Sequence, residues 1–237
     1  MTQPVLQRMQ HYIDLWEAAV DQRAIFLSCY SMMTRNMLTA IDQGEFEDAE
    51  WVSTLLHRFA EYYFDALNDY DQHPEQTPVV WQFTFESSRR PGTHVLQHLI
   101  LGVNAHICFD LVFALVDVLR HEWAALSEEA RQARYRDHCR VNDVICRTID
   151  AVQDQVVERY SPLMNVVDYM FGTLDEWMLG RLIANWREQV WEFASQLMQC
   201  DCDTDSLRVR QAVELRSMQR AQAILGGNGV RSLLDIL

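Results

Sequence analysis

The stretch HLILGVNAHICFDLVFALVDVL, residues 98–119, decides the fold. It is long and apolar enough to cross a bilayer, for which about twenty residues suffice, yet Asn104, His106 and Asp110 interrupt its middle. Ionisable groups at the centre of a hydrocarbon layer cost several kcal/mol, and no other segment of the chain has comparable hydropathy. The stretch therefore reads as a helix that is apolar all round because neighbouring helices cover every side. The expected fold is all-α: a single-domain multi-helix bundle around a buried central helix at about residues 94–123, with no membrane span.

Working outward, the pattern predicts helices from Pro4 to about Val20, Gln22 to about Ile41 and Asp48 to Tyr70. In the third, Val52, Leu55, Leu56, Phe59, Tyr63, Ala66, Leu67 and Tyr70 fall on one stripe of helical period. Thr77-Pro78 reads as a cap and a first-turn proline opening a short helix through Trp81 and Phe85. Beyond the central helix, further helices are expected from Glu128 to about Arg159, through Met170 to Gly172, from Leu174 to Met198, and from about residue 204 to Leu225. An apolar tail, VRSLLDIL, closes the chain. One domain spanning 1–237 is expected.

Composition agrees. Only 8 Gly and 5 Pro occur in 237 residues, too few for the many turns of a sandwich or barrel. The net charge of −14 opposes binding to nucleic acid or to an anionic membrane. No basic start followed by an apolar run suggests a signal peptide, so the six cysteines are expected as reduced thiols of a cytoplasmic protein. Cys200-Asp-Cys202 lacks the second cysteine pair of a zinc site.

Chemistry concentrates on the central helix. At about 100° per residue, Asp110 lies about 40° and Asp117 about 20° from His106, giving one acidic-imidazole stripe. Asn104 lies almost opposite, with Gln97 and Cys108. Gly102, one turn before His106, leaves room for a ligand or another backbone. A His and an Asp one turn apart form a satisfied core pair, part of a metal site, or an acid–base pair. From the helix around Val144, the stripe Val141, Ile145, Thr148, Ile149, Val152 and Val156 faces inward with His138 and Asn142. The candidate catalytic residues are thus His106, Asp110, Asn104 and Asn142; His106, Asp110 and His138 are the candidate ligands of a divalent metal ion. Ser28, Tyr30 and Thr34 are candidate pocket hydroxyls. His57, Glu61 and Asp65 read as a solvated face.

LQHLILGVNAHICFDL resembles the hallmark L-L-G-x-N-A-H-I-N-x-D-L of a largely uncharacterised group of bacterial helical proteins. FLSCYSMMTRNM, WVSTLLHRFAEYYFDAL and WREQVWEFASQLM extend the resemblance over about residues 25–198. By position it points to Asn104, His106, Asp110 and Asn142, and Cys108 stands where the pattern has asparagine. The His-x-x-x-Asp spacing is similar, more loosely, to part of the zinc motif of helical phospholipase C and P1-type nucleases, whose other ligands have no counterpart here.

Three functions remain as expectations: an enzyme acting on a small or lipid-like substrate by metal-assisted hydrolysis, a metal-free proton-transfer or cyclisation enzyme, and a non-catalytic module binding an apolar ligand or a protein partner. A homo-oligomer is a candidate state.

Overall fold

The computed structural model describes residues 4–152, 155–156, 158–160 and 176–226. No strand occurs among them. Helices α1 (Pro4–Ala18), α2 (Arg23–Asp42), α3 (Ala49–Gln72) and α4 (Val79–Ser87) precede the central helix. That helix comprises α5 (Val95–Val103), a π-helical segment (Asn104–Asp110) and α6 (Leu111–Trp123) in unbroken succession. Helices α7 (Glu128–Val152), α8 (Glu176–Gln199) and α9 (Asp203–Leu225) follow. The short helix expected through Met170 and the apolar tail lie outside the described residues.

Local chemistry fixes the ends. After α2, Gly44 sits at φ +71, its N–H on Ile41 O and the Glu45 N–H on Ala40 O. This double bond is the Schellman termination that glycine favours. The end of α1 repeats it with Val20 at φ 56: Val20 N–H meets Glu17 O and Asp21 N–H meets Trp16 O. At the start of α3, the Asp48 carboxylate accepts from Trp51 N at 2.9 Å. One turn of loop before it is held by Asp137 of α7, fully buried, which accepts from the backbone N–H of Glu47 and Asp48 at 2.8 Å each.

The central helix is the axis of the bundle. By length and composition it could cross a membrane, but 89% of its most apolar window is buried inside the fold. Helices α2, α3, α4, α8 and α9 all pack on it; α4 also packs on α9, and α7 joins α2 to α8. Gly102 leaves room neither for a ligand nor for a backbone. A Cβ there would fall 2.3 Å from Cγ of Phe26, so its space is taken by that ring of α2. Helix α9 is stitched antiparallel to the central helix by two amides. Gln97 Nε2 donates to Ile224 O at 3.0 Å and Asn104 Nδ2 to Ser217 O at 2.9 Å.

Candidate functional site

Asn104, His106 and Asp110 lie on the π-helical segment of the central helix. There Leu111 N–H bonds His106 O, five residues back. The wide turn sets His106 and Asp110 nearly in line, and His106 Nδ1 lies 2.9 Å from Asp110 Oδ2. It also breaks the α-helical phase. Asp117, expected on the same buried stripe, is instead exposed and accepts from Arg58 and Tyr62. Trp81, on α4, donates from Nε1 to Asp110 Oδ1 and Oδ2 at 3.0 and 2.9 Å.

Asp110 and His106 are 1% and 2% exposed, and burial governs their protonation. It raises Asp110 well above the carboxylate range and lowers His106 well below the imidazole range. Both shifts oppose a net charge on the pair; with Asp110 protonated and donating to Nδ1, the imidazole hydrogen sits on Nε2. Passing the shared proton to Nδ1 leaves Nε2–H unchanged. In either arrangement the ring offers a donor at Nε2, and that buried atom has no hydrogen-bond partner.

His106 lines a cavity of about 220 Å³. Its walls are aliphatic and aromatic, with Leu99, Val103, Phe59 and Met33 among them, and the α7 stripe from Val141 to Val152 supplies one side. Tyr30 and Thr34 also line it. Their hydroxyls are neighbours but form no well-aligned hydrogen bond, and both oxygens are buried without a partner. Burial holds the Tyr30 phenol well above its ordinary range, so it stays a neutral donor and acceptor. Cys29, also on the wall, has its thiol pushed up to about 12 by desolvation and is no nucleophile at neutral pH. Ser28, by contrast, pairs with the Tyr160 hydroxyl at 2.9 Å.

The other candidates lie elsewhere. Asn104 faces α9, its amide nitrogen committed to Ser217 O, and does not line the cavity. Asn142 accepts from Arg187 Nε at 2.7 Å instead of joining His106. His138 is held between Arg187 groups: Nε2 donates to Arg187 O at 3.1 Å, and Nδ1 lies 3.3 Å from Nη2. Burial and the guanidinium lower its pKa well below the imidazole range. Cys108 is buried beside Arg220, away from the cavity, so its departure from the family-like motif leaves the cavity wall intact.

A divalent metal does not fit these residues. Both Asp110 oxygens and His106 Nδ1 are engaged with one another and with Trp81, and both His138 nitrogens with Arg187. No group of three His, Cys, Asp or Glu side chains among the described residues could hold a metal ion. The expected set His106, Asp110 and His138 therefore does not converge. Glu61 and Asp65 are exposed and His57 is half-buried; His57 pairs with Ser53 O and Glu61 with Arg58.

Sequence reasoning missed Trp81 and Arg187. Trp81 is 29 residues from Asp110, and nothing in either segment announces the pairing. Arg187 sits in a run, WREQVWEF, whose charges suggest a solvated face, yet it is 4% exposed and lines the cavity.

Residues 2–227 match the model of the family described as "Family of unknown function (DUF5995)", and the chain belongs to it. The match reaches beyond the 25–198 span of the resemblance read from the sequence. No curated protein and no solved structure matches.

Proposed function

We propose that this member of the DUF5995 family binds a small, mostly apolar molecule in the cavity and engages one oxygen of it through His106 Nε2–H. One observation carries the reading: three buried polar atoms without partners, His106 Nε2, Tyr30 Oη and Thr34 Oγ1, belong to residues lining an otherwise apolar space. Buried polar groups are nearly always satisfied, and a few convergent polar groups in an apolar hollow are the mark of a ligand site. The volume supports a small guest, since an engineered cavity of about 150 Å³ admits benzene. Asp110 and Trp81 fix the ring so that Nε2 keeps its hydrogen.

The Asp110–His106 pair favours a second reading, metal-free proton transfer. If Nε2 gives its proton to the bound molecule, the Asp110 proton moves to Nδ1. The carboxylate left behind is stabilised by Trp81 Nε1–H and Nδ1–H. The pair then carries one negative charge and the guest has gained one proton.

The test compares 2-octanone with octane by thermal shift and calorimetry. The ketone is expected to bind more tightly than the alkane to the wild-type chain, and the difference to vanish in His106→Phe. Val141→Phe, which fills the cavity, is expected to lose both. Absence of binding by either probe, or binding that survives in Val141→Phe, overturns the reading.

A further inference from the structure

We propose that Arg187 is the anion-recognition group of the cavity, and that the natural guest is an apolar carboxylate, a monoanionic amphiphile. The inference rests on the cavity being a ligand site and names the class of ligand. Arg187 lines the same cavity as His106 and is almost fully buried. Its contacts with described residues are all neutral. Nε donates to Asn142 Oδ1 at 2.7 Å, and Nη2 donates to His138 O at 2.6 Å and faces His138 Nδ1 at 3.3 Å. No carboxylate among the described residues lies within ion-pair distance of it, and no described residue accepts from Nη1.

A buried cation without a counter-charge is costly, and proteins ordinarily pair it. Arg23 and Arg134, both half-buried, follow that rule: Arg23 has Asp21, and Arg134 has Asp48 and Glu122. Arg220 is also buried with no described carboxylate beside it, but it stacks over Trp186, donates to Gln189 and does not line the cavity. Among the described residues, Arg187 is therefore the cavity-lining cation whose charge is unanswered. Desolvation already weakens its hold on its proton, lowering it to about 10, and an arriving carboxylate would reverse that.

The surroundings select the anion. Asn142 and His138 occupy Nε and Nη2 and fix the guanidinium between α7 and α8, leaving Nη1 for the guest. One guanidinium in an apolar hollow neutralises one negative charge. A phosphate dianion would leave a net charge buried among leucines and valines, whereas a carboxylate leaves none and matches guanidinium hydrogen bonding. The remaining wall, with Ile145, Ile149, Leu179 and Ile183, takes the hydrocarbon part.

Calorimetry with octanoate, 1-octanol and methyl octanoate on the whole chain tests this. The wild type is expected to bind octanoate at least tenfold more tightly than the alcohol or the ester. Arg187→Gln is expected to lose that preference and still bind the alcohol, and Arg187→Lys to keep part of it. Should Arg187→Gln fail to fold because the α7–α8 clamp is broken, the wild-type ranking and Arg187→Lys still decide. Alcohol and octanoate binding equally to the wild type, or a preference that survives Arg187→Gln, overturns the role of Arg187 alone. Binding of none of the three overturns the ligand site itself.

Discussion

The imidazole of His106 lies flat on the ring of Phe59, with centroids 3.5 Å apart and planes 4° apart. Tyr30 meets the same imidazole edge-on at 4.3 Å. Asp110 fixes one nitrogen of the ring and Phe59 fixes its plane, so Nε2 has one direction left. Aromatic pairs contribute about 0.5–1.5 kcal/mol beyond burial. Phe59→Leu is expected to destabilise by roughly 1–3 kcal/mol and to narrow the gap between 2-octanone and octane binding. Unchanged discrimination would show that the stack does not orient the ring.

The buried pair makes a signed prediction about pH. His106 prefers to be neutral when folded, so its contribution is present above its unfolded value of 6.5 and is lost as pH falls below it. Asp110 prefers to be protonated when folded, so its contribution is fullest below 3.8 and is lost as pH rises above that. Between these values the two oppose. Asp110→Asn removes one side, and its unfolding free energy is expected to drop more steeply than the wild type's from pH 6.5 to 4.5, by up to ~1.4 kcal/mol per pH unit. Parallel urea-denaturation curves for the two proteins across that range would contradict a neutral pair.

Gly102→Ala is expected to cost about 1–3 kcal/mol, since the new methyl group overlaps the base of the Phe26 ring and not a flexible chain end. Combined with Phe26→Ala, the two losses are expected to sum to less than their separate values, because removing the ring frees the space. Strict additivity in denaturation experiments would place the strain elsewhere.

Asn104→Ala is expected to lower stability by about 0.5–1.5 kcal/mol through the lost bond to Ser217 O. Binding of the eight-carbon probes is expected to stay as it was. A fall in affinity without a fall in stability would return Asn104 to the site.

Val20 holds a left-handed conformation that costs a β-branched residue roughly 1–2 kcal/mol, and its side chain is exposed and packs little. Val20→Gly is expected to raise Tm by ~2–4 °C, read by differential scanning calorimetry. A lower Tm would mean the turn draws more from the isopropyl group than its exposure indicates.

Much of the fold was legible because each helix carries its own instructions. Periodicity placed α3 from Asp48 and ended α2 near Ile41, and the structure has Asp48 capping α3 and α2 ending at Asp42. The π-helical segment was not legible. Its register is decided by what packs on either side, and reading it as regular α-helix placed Asp117 on the wrong face. In the candidate site, the fourfold spacing of His106 and Asp110 pointed to their contact. Trp81 and Arg187 joined that region only through long-range packing, and a charged residue between two tryptophans gives no local sign that it is buried. Asn142 and His138 faced inward as their stripe indicated, but toward α8 and not toward the central helix.

The two amides that fasten α9 reach for backbone carbonyls, at Ser217 and Ile224, not for side chains. Such a fastening does not read the identity of the residue it grips. The fastening is returned once from the other partner, where Ser217 Oγ donates to Cys108 O at 3.2 Å, so Gln97, Asn104 and Ser217 together set the register of the last helix.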